Sequence, residues 1–395
     1  MRVAVLGGKL QGVEACYLAH KAGWQVALVD KNPVAPAAKL GDDFYCFDLM
    51  NNDKLIDLLR EVQFVVPALE DKAVLDNIYQ CARQVGVKVV YDQQAYALSA
   101  SKLASDKLFA KLDVPAPKPW PLCEFPVTVK PSGASGSEDV YLIRNPQELA
   151  ALRQQLGGFA GWVVQEFLEG PSFSIEVAGC NGEYRTFQVT ELAMDEVYDC
   201  KRVLAPTVLS AAKAQEFCEI ALTLARQLQL NGIMDVEAIY HDGLFKVLEI
   251  DARLPSQTLT AVYNSTGINV LEALWNGFNP RNQKNLESVA QGVIYEHIKV
   301  TPERLEVCGE HIMASAGQLT LYQDFFGATE ALSNYSPDKQ EWVATLIIAA
   351  ENRQQAWAQR CQVITTIMNH SRVNRYHDAE PPVPGRQALC IDKAV

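Results

Sequence analysis

The chain has 395 residues, 49% of them hydrophobic and 21% charged, and a formal net charge of -12. A chain of that size buries a large core in two or three domains, and the composition excludes an intrinsically disordered protein. The acidic balance, with no long basic run, argues against nucleic acid as a partner, and no apolar stretch approaches the ~20 residues that span a membrane. Ten cysteines are scattered without a C-x-x-C pair, which argues against a zinc or redox site and suits reduced thiols in a cytoplasmic protein. The start, Met1-Arg2-Val3-Ala4-Val5-Leu6-Gly7, passes directly into a strand-like run rather than a secretory signal.

Residues 1–95 alternate short apolar runs with helical periodicity, the pattern of an α/β, doubly wound, mainly parallel sheet. Strands are expected at Val3–Leu6, Gln25–Val29, Phe64–Pro67 and Val87–Val90, and helices at Gln11–Ala22, Leu55–Arg60 and Asp71–Gln84. Gly7-Gly8-Lys9-Leu10-Gln11-Gly12 forms the first strand-to-helix turn, and Asp30 closes the second strand. The spacing misses the G-x-G-x-x-G dinucleotide fingerprint. The turn reads either as close helix–sheet packing or as a helix N-terminus, at Leu10 and Gln11, offered to an anionic substrate group. An NAD-dependent oxidoreductase built on this sheet is the rival reading from another enzyme class.

A helix follows Ser101 as far as Leu112, and the proline-rich Val114–Pro121 segment stops it. Strands are then expected at Phe125–Lys130, Val140–Ile143 and Trp162–Phe167, with a helix over Pro146–Leu156. Strands Ser172–Ala178 and Tyr184–Thr190 and a long helix over Ala211–Gln229 come next. Gly267–Gly277 reads as a helix, Gln340–Ile367 contains helical stretches, and Glu380–Gly385 reads as a loosely held tail.

Two segments stand out chemically. The Val129–Ser137 run is a strand ending in Lys130 and opening into a small-residue loop, Ser132, Gly133, Ser135, Gly136 and Ser137, whose backbone amides can approach a phosphate. It lacks the ending of a P-loop and the G-x-S-x-G of a serine nucleophile; by itself it also reads as a hairpin tip. The second segment holds Asp235-Val236-Glu237 and Glu249-Ile250-Asp251, followed by Arg253, around an Asp242-Gly243 turn. Residues two apart on a strand share a face. A three-residue loop, His241-Asp242-Gly243, sets Asp235 opposite Glu249 and brings Glu237, Glu249 and Asp251 onto one face; a two-residue turn separates Glu237 from Glu249. Carboxylates crowded in this way suit Mg²⁺ carrying nucleotide phosphates, the alternative being a solvated acidic ribbon.

The order Lys102, Lys130 with its glycine loop, Gln165-Glu166-Phe167-Leu168-Glu169-Gly170, then Glu237 and Glu249-Ile250-Asp251-Ala252-Arg253 resembles the ATP-grasp family over residues 1–300. That resemblance implies a two-lobed ATP-grasp α+β domain after the N-terminal sheet: residues 96–172 as the small lobe with its lid, 173–310 as the large lobe, and 311–395 as a C-terminal segment of mixed structure. It implies that Lys102 and Lys130 hold the phosphates of ATP under the lid formed by Ser132, Gly133, Ser135, Gly136 and Ser137. Glu166, Phe167 and Leu168 would meet the adenine. Glu169 becomes the candidate for the ribose, because Ser172 stands where a carboxylate is often found. Glu237, Glu249 and Asp251 would bind two Mg²⁺ ions, and Arg253 would stabilise the charge in transfer. Ser101 precedes Lys102 where many relatives have Asp.

Narrower strings, Gly232–Ile239 and Glu249–Thr258 among them, resemble the ligases of pyrrolysine biosynthesis. This implies that 3-methyl-D-ornithine is activated as an acyl phosphate and joined to the ε-amine of L-lysine. Ser174 and Glu176 on one strand face, with Asp199 and Asp235, are candidates for the ammonium groups. Ser256, Gln257 and Thr258 at a helix start are candidates for a substrate carboxylate. Another ATP-grasp carboxylate–amine ligase or a carboxylase is the runner-up, and a homodimer is left open.

Overall fold

The computed structural model describes residues 1–133, 139–277 and 290–381. Ser135, Gly136 and Ser137 of the expected lid lie outside the described residues, as does the expected tail beyond Pro381. The N-terminal sheet is parallel, with strands β1 (Arg2–Leu6), β2 (Gln25–Asp30), β3 (Asp43–Cys46), β4 (Phe64–Pro67) and β5 (Lys88–Val89) in the order β3-β2-β1-β4-β5. Helix α1 (Leu10–Lys21) covers one face, burying Val13, Cys16 and Tyr17 against Val3 and Val5. Helices α2 (Asn52–Leu59) and α3 (Lys72–Val85) cover the other, placing Leu55, Leu59 and Ile78 against Ala4 and Leu6. Burial on both faces is why these strands read as continuous apolar runs.

Helices α4 (Gln93–Ser99) and α5 (Lys102–Leu112) lead into a three-stranded antiparallel sheet, β7-β6-β8, built from β6 (Val127–Pro131), β7 (Tyr141–Ile143) and β8 (Trp162–Glu166). Helix α6 (Pro146–Gln155) sets Leu149 and Leu152 against Val127 and Val129 of that sheet.

The large sheet begins with β9 (Ser172–Cys180), β10 (Glu183–Thr186), β11 (Thr190–Met194) and β12 (Cys200–Ala205). After helix α7 (Ala211–Leu228) come β13 (Gly232–His241) and β14 (Leu244–Asp251), then helices α8 (Thr258–Thr266) and α9 (Val270–Asn276). Strands β15 (Gly292–Val300) and β16 (Leu305–Val307), helix α10 (His311–Ala314), strands β17 (Thr320–Phe325), β18 (Ala328–Ser333) and β19 (Trp342–Ala350), helix α11 (Arg353–Ser371) and β20 (Tyr376–His377) complete it. The main path runs β14-β13-β9-β11-β12-β15-β19-β18-β17. Its inner strands are paired antiparallel, so the region after Gln291 continues the same sheet.

Two expectations fail here, and a third holds over only part of its span. Tyr184–Thr190 is not one strand: β10 stops at Thr186 and β11 starts at Thr190, the two pairing with successive stretches of the same edge of β9, whose other edge is taken by β13. Gln340–Ile367 is helical from Arg353, in α11, but opens with β19, whose Trp342-Val343-Ala344-Thr345-Leu346-Ile347-Ile348 run is buried on both faces and so shows no alternation. The hairpin between β13 and β14 is closed by two residues, since His241 pairs with Leu244. Asp242 and Gly243 both have positive φ, 49° and 83°, as that tight turn demands.

Candidate active site

Helix α7 decides which way the acidic strands face. Its Phe217, Ala221 and Leu224 pack on Phe173, Ile175 and Val177 of β9, Met234 and Val236 of β13, and Phe245, Val247 and Ile250 of β14. The alternate residues on these strands are thereby turned to the opposite face. A two-residue turn alone would still separate Glu237 from Glu249. A β-bulge at Leu248 corrects the register, so Glu237 faces Glu249 and Asp235 faces Asp251 rather than Glu249. On the other side of β13, Glu237 pairs with Ser174 and Asp235 with Glu176. Two rows result: Ser174, Glu237, Glu249 and, beside them, Glu176, Asp235, Asp251.

Two lysines meet the first row. Lys102, in the first turn of α5, places Nζ 2.9 Å from Glu249. Ser132 fixes that turn to the root of the glycine loop: its carbonyl accepts from the Lys102 amide at 2.9 Å and its Oγ from the Leu103 amide at 3.1 Å. Ser101 caps the helix, its Oγ accepting from the Ala104 amide. Lys130 is buried, and this lowers its pKa against the pull of Glu249. Both lysines, with Glu237 and Glu249, line a cavity of about 160 Å³. Val140, Leu142, Phe167, Leu168, Met194, Ile239 and the bulged Leu248 line it as well. A mainly apolar slot that also holds two cations and two carboxylates has the chemistry for a nucleobase with its phosphates.

The connector departs from expectation in detail. The Glu166 amide donates to the Lys118 carbonyl at 2.8 Å, and its carboxylate pairs with Lys246 at 2.7 Å. Glu166 is held by these protein groups and lines the slot together with Phe167, Leu168 and Ser172. Gly133 is set at the lid root, with the Ala100 carbonyl nearest to its open side. Glu169 is exposed and lines a neighbouring cleft instead.

A second cavity, of about 120 Å³, opens from the same carboxylates. It is lined by Ser174, Asp199, Asp235, Glu237, Glu249, Asp251, Arg253, Ser256, Gln257, Thr258 and Glu310, and it shares Met194, Tyr198, Glu237 and Glu249 with the first. Arg253 sits 3.0 Å from Asp251 and 2.9 Å from Glu70. Gln11 donates to Glu70 at 3.0 Å, and Leu10 packs against the core, so the first turn supports Arg253 from behind. Asp30 accepts from the Gly8 amide at 2.6 Å and the Asn32 amide at 2.7 Å, holding the turn closed. These contacts pack the turn against the sheet.

Glu176 is fully buried, with one oxygen accepting from Ser174 Oγ at 3.2 Å. Asp235 Oδ1, Asp251 Oδ1 and Glu176 Oε2 are buried without a hydrogen-bond partner among the described residues. Burial, reinforced by Glu249, pushes Glu237 up to about 8, and burial pushes Asp251 up to about 6 against Arg253. Burial acts on Glu249 too, but Lys102 and Lys130 outweigh it and hold that carboxyl low. Buried carboxylates crowded to this degree, the orphaned Asp251 oxygen among them, fit a divalent cation such as Mg²⁺, which Glu237, Glu249 and Asp251 could hold.

Sequence reasoning missed Glu70 and Glu310. Glu70 follows the carboxyl end of β4, where ligands collect in parallel sheets, so its place was a usable signal. Glu310 lies far from every motif and gave none. The unassigned Tyr295-Glu296-His297 run is structural: buried Glu296 accepts from Arg202 and from Arg360 Nε at 2.9 Å. Asp378 pairs with Lys201 and Arg202, each at 2.7 Å, and pins the segment after β20 to the large sheet.

Residues 99–257 match the ATP-grasp domain model, and residues 3–91 match the model described as PylC-like, N-terminal domain. The chain is 34% identical to the 3-methyl-D-ornithine–L-lysine ligase of Methanosarcina barkeri over 92% of its length and 97% of the relative's. The chain belongs to the ATP-grasp ligase family. It is also 36% identical to the ligase of the same name from Methanosarcina mazei, over 79% of this chain and 77% of that one. Among solved structures, an N5-carboxyaminoimidazole ribonucleotide synthetase in its ADP complex superposes with a TM-score of 0.68 at 14% identity, covering 94% and 97% of the two chains. An L-amino acid ligase from Bacillus licheniformis does so with a TM-score of 0.66 at 14% identity, covering 92% and 96%. These two likenesses establish the ATP-grasp fold of this chain. Among the described residues, no helix is long and apolar enough to cross a membrane.

Proposed function

We propose that this ligase activates the carboxylate of 3-methyl-D-ornithine with ATP and joins it to the ε-amine of L-lysine, releasing ADP and phosphate. The observation that carries this reading is that the nucleotide-shaped slot and the acidic cavity share Glu237 and Glu249. A γ-phosphate held there would lie beside an amino acid in the second cavity. The ligase relatives named for these substrates support the choice.

Lys102 and Lys130 neutralise phosphate charge, and the Phe167–Leu168 connector with Leu248 receives the base. Glu237, Glu249 and Asp251 would hold two Mg²⁺ ions, which supply charge neutralisation at the phosphates when bound. Arg253, oriented by Glu70, meets the charge that develops as the γ-phosphoryl group passes to the carboxylate. Ser174, Glu176 and Asp235 receive the ammonium groups of the ornithine. The amides at the start of α8, near Ser256, Gln257 and Thr258, receive a carboxylate. Purified protein with ATP and Mg²⁺ is expected to release phosphate only when D-ornithine, or its 3-methyl form, and L-lysine are both present. An amide of the two should appear by mass spectrometry. Phosphate release with neither amino acid required, or with other acids preferred, would overturn the assignment.

A further inference from the structure

The acidic cavity has two walls, and only one of them is accounted for by metal and ornithine. The second wall is the loop from Asp195 to Cys200 facing the Gly309-Glu310-His311 turn. It is built by short hydrogen bonds. Asp195 accepts from the amides of Val197, Asp199 and Gly309 at 2.9, 3.0 and 2.9 Å. Asp199 accepts from the His311 amide at 3.0 Å and from its Nδ1 at 2.6 Å. Gly309 lies so close that a Cβ there would fall 2.2 Å from Asp199 Oδ2. These bonds hold the turn that carries Glu310, which lines the cavity and accepts from Ser256 Oγ at 2.7 Å.

The groups facing Glu310 are Arg253 and Glu237 from the acidic strands, Asp199 and Cys200 from the loop, and Glu14 and Tyr295 from behind. Asp195, Asp199 and His311 come close enough to suggest a metal. Asp195 accepts from three amides and Asp199 Oδ2 from the His311 amide and imidazole, so these atoms read as the brace of this wall.

Resting on the amino-acid ligase reading above, we infer that Glu310, with Asp199, receives the ammonium of the attacking amino acid and takes the proton it must lose. Ser174, Glu176 and Asp235, which take the ornithine in the reading above, stand on β9 and β13, whereas Glu310 enters the cavity from the turn after β16, which leaves its side to the second amine. The ε-ammonium gives one proton to the Glu310 carboxylate. Its freed lone pair attacks the acyl-phosphate carbonyl, the C–N bond forms, and the C–O bond to phosphate breaks. The second nitrogen proton leaves with the phosphate as HPO₄²⁻. Burial raises the Glu310 carboxyl, in keeping with a proton acceptor.

Hydroxylamine separates this step from activation, because it is largely neutral near pH 7 and needs neither an ammonium site nor a base. With D-ornithine, ATP and Mg²⁺, Glu310→Gln is expected to form hydroxamate within about threefold of the unmodified protein, yet to lose lysine-dependent amide by about 100-fold or more. Glu310→Asp, which keeps a shortened carboxylate, should restore part of the amide rate with a raised KM for lysine and an unchanged KM for ornithine. The inference is overturned if Glu310→Gln makes amide normally, or if hydroxamate and amide fall together in both variants. If the unmodified protein yields no hydroxamate from D-ornithine, the substrate reading itself fails and takes this inference with it.

Discussion

His297 offers a stability test that can be worked through in numbers. It is buried on β15, with Nδ1 2.8 Å from Thr345 Oγ1 and Nε2 3.2 Å from Gln257 Oε1. A neutral ring satisfies both partners, donating from Nε2 to the glutamine oxygen and accepting the threonine hydroxyl at Nδ1. Burial lowers its pKa from 6.5 to about 3. The unfolded chain therefore binds the proton first as pH falls, and folding stability is lost below about 6.5, levelling off near 3. At pH 5 the gap is about 1.5 pH units, worth about 2 kcal/mol at 1.36 kcal/mol per unit. Replacing His297 by Gln carries a fixed packing cost but removes this slope. Urea titrations of the two proteins between about pH 7.5 and pH 5 should show the unmodified protein losing about 2 kcal/mol more than the variant. Subtraction removes the contributions of Glu14, Glu176 and the other shared groups, provided they are not coupled to the ring. A difference that stays flat with pH, or that grows in favour of the unmodified protein on acidification, would refute the neutral-imidazole argument.

Glu237→Gln and Glu249→Gln should both abolish turnover but move the metal-free melting temperature in opposite directions. Glu237 is a carboxyl whose charged form is disfavoured by burial and by Glu249, so its replacement removes that cost, whereas Glu249 balances Lys102 and Lys130; differential scanning calorimetry without Mg²⁺ reads the sign. Gly309→Ala drives a methyl group into the Asp199 carboxylate, so it should cost about 1–3 kcal/mol in chemical denaturation and raise the KM for lysine more than that for ornithine.

Much of this molecule can be read from its residues. The N-terminal strands announce themselves because they are buried on both faces, and α5 because Ser101 caps it and Asp113 ends it in the left-handed region. Lys102, Lys130, Glu237, Glu249, Asp251 and Arg253, from one helix, three strands and the segment after β14, come together at two adjoining cavities as the resemblance to the ATP-grasp family implies. The turn was misjudged for a physical reason. Period-two alternation requires an odd correction somewhere in the hairpin, and sequence does not say whether the turn or the strand interior supplies it. Here Leu248 supplies it. Glu70 and Glu310 were hidden because long-range packing, not local pattern, brings them to the cavity. The C-terminal strands were hidden because doubly buried β-segments such as β19 look like apolar helix fragments.

The single surplus residue in β14 has an outcome beyond alignment. Leu248 forms part of the wall against which a purine would rest, while its immediate neighbour Glu249 touches Lys102. Shortening that strand by one position would leave composition almost unchanged, yet it would point both terminal carboxylates toward Phe217 and its greasy surroundings. Seat and anchor for the nucleotide are thus one backbone irregularity, and neither can be remodelled without disturbing the other.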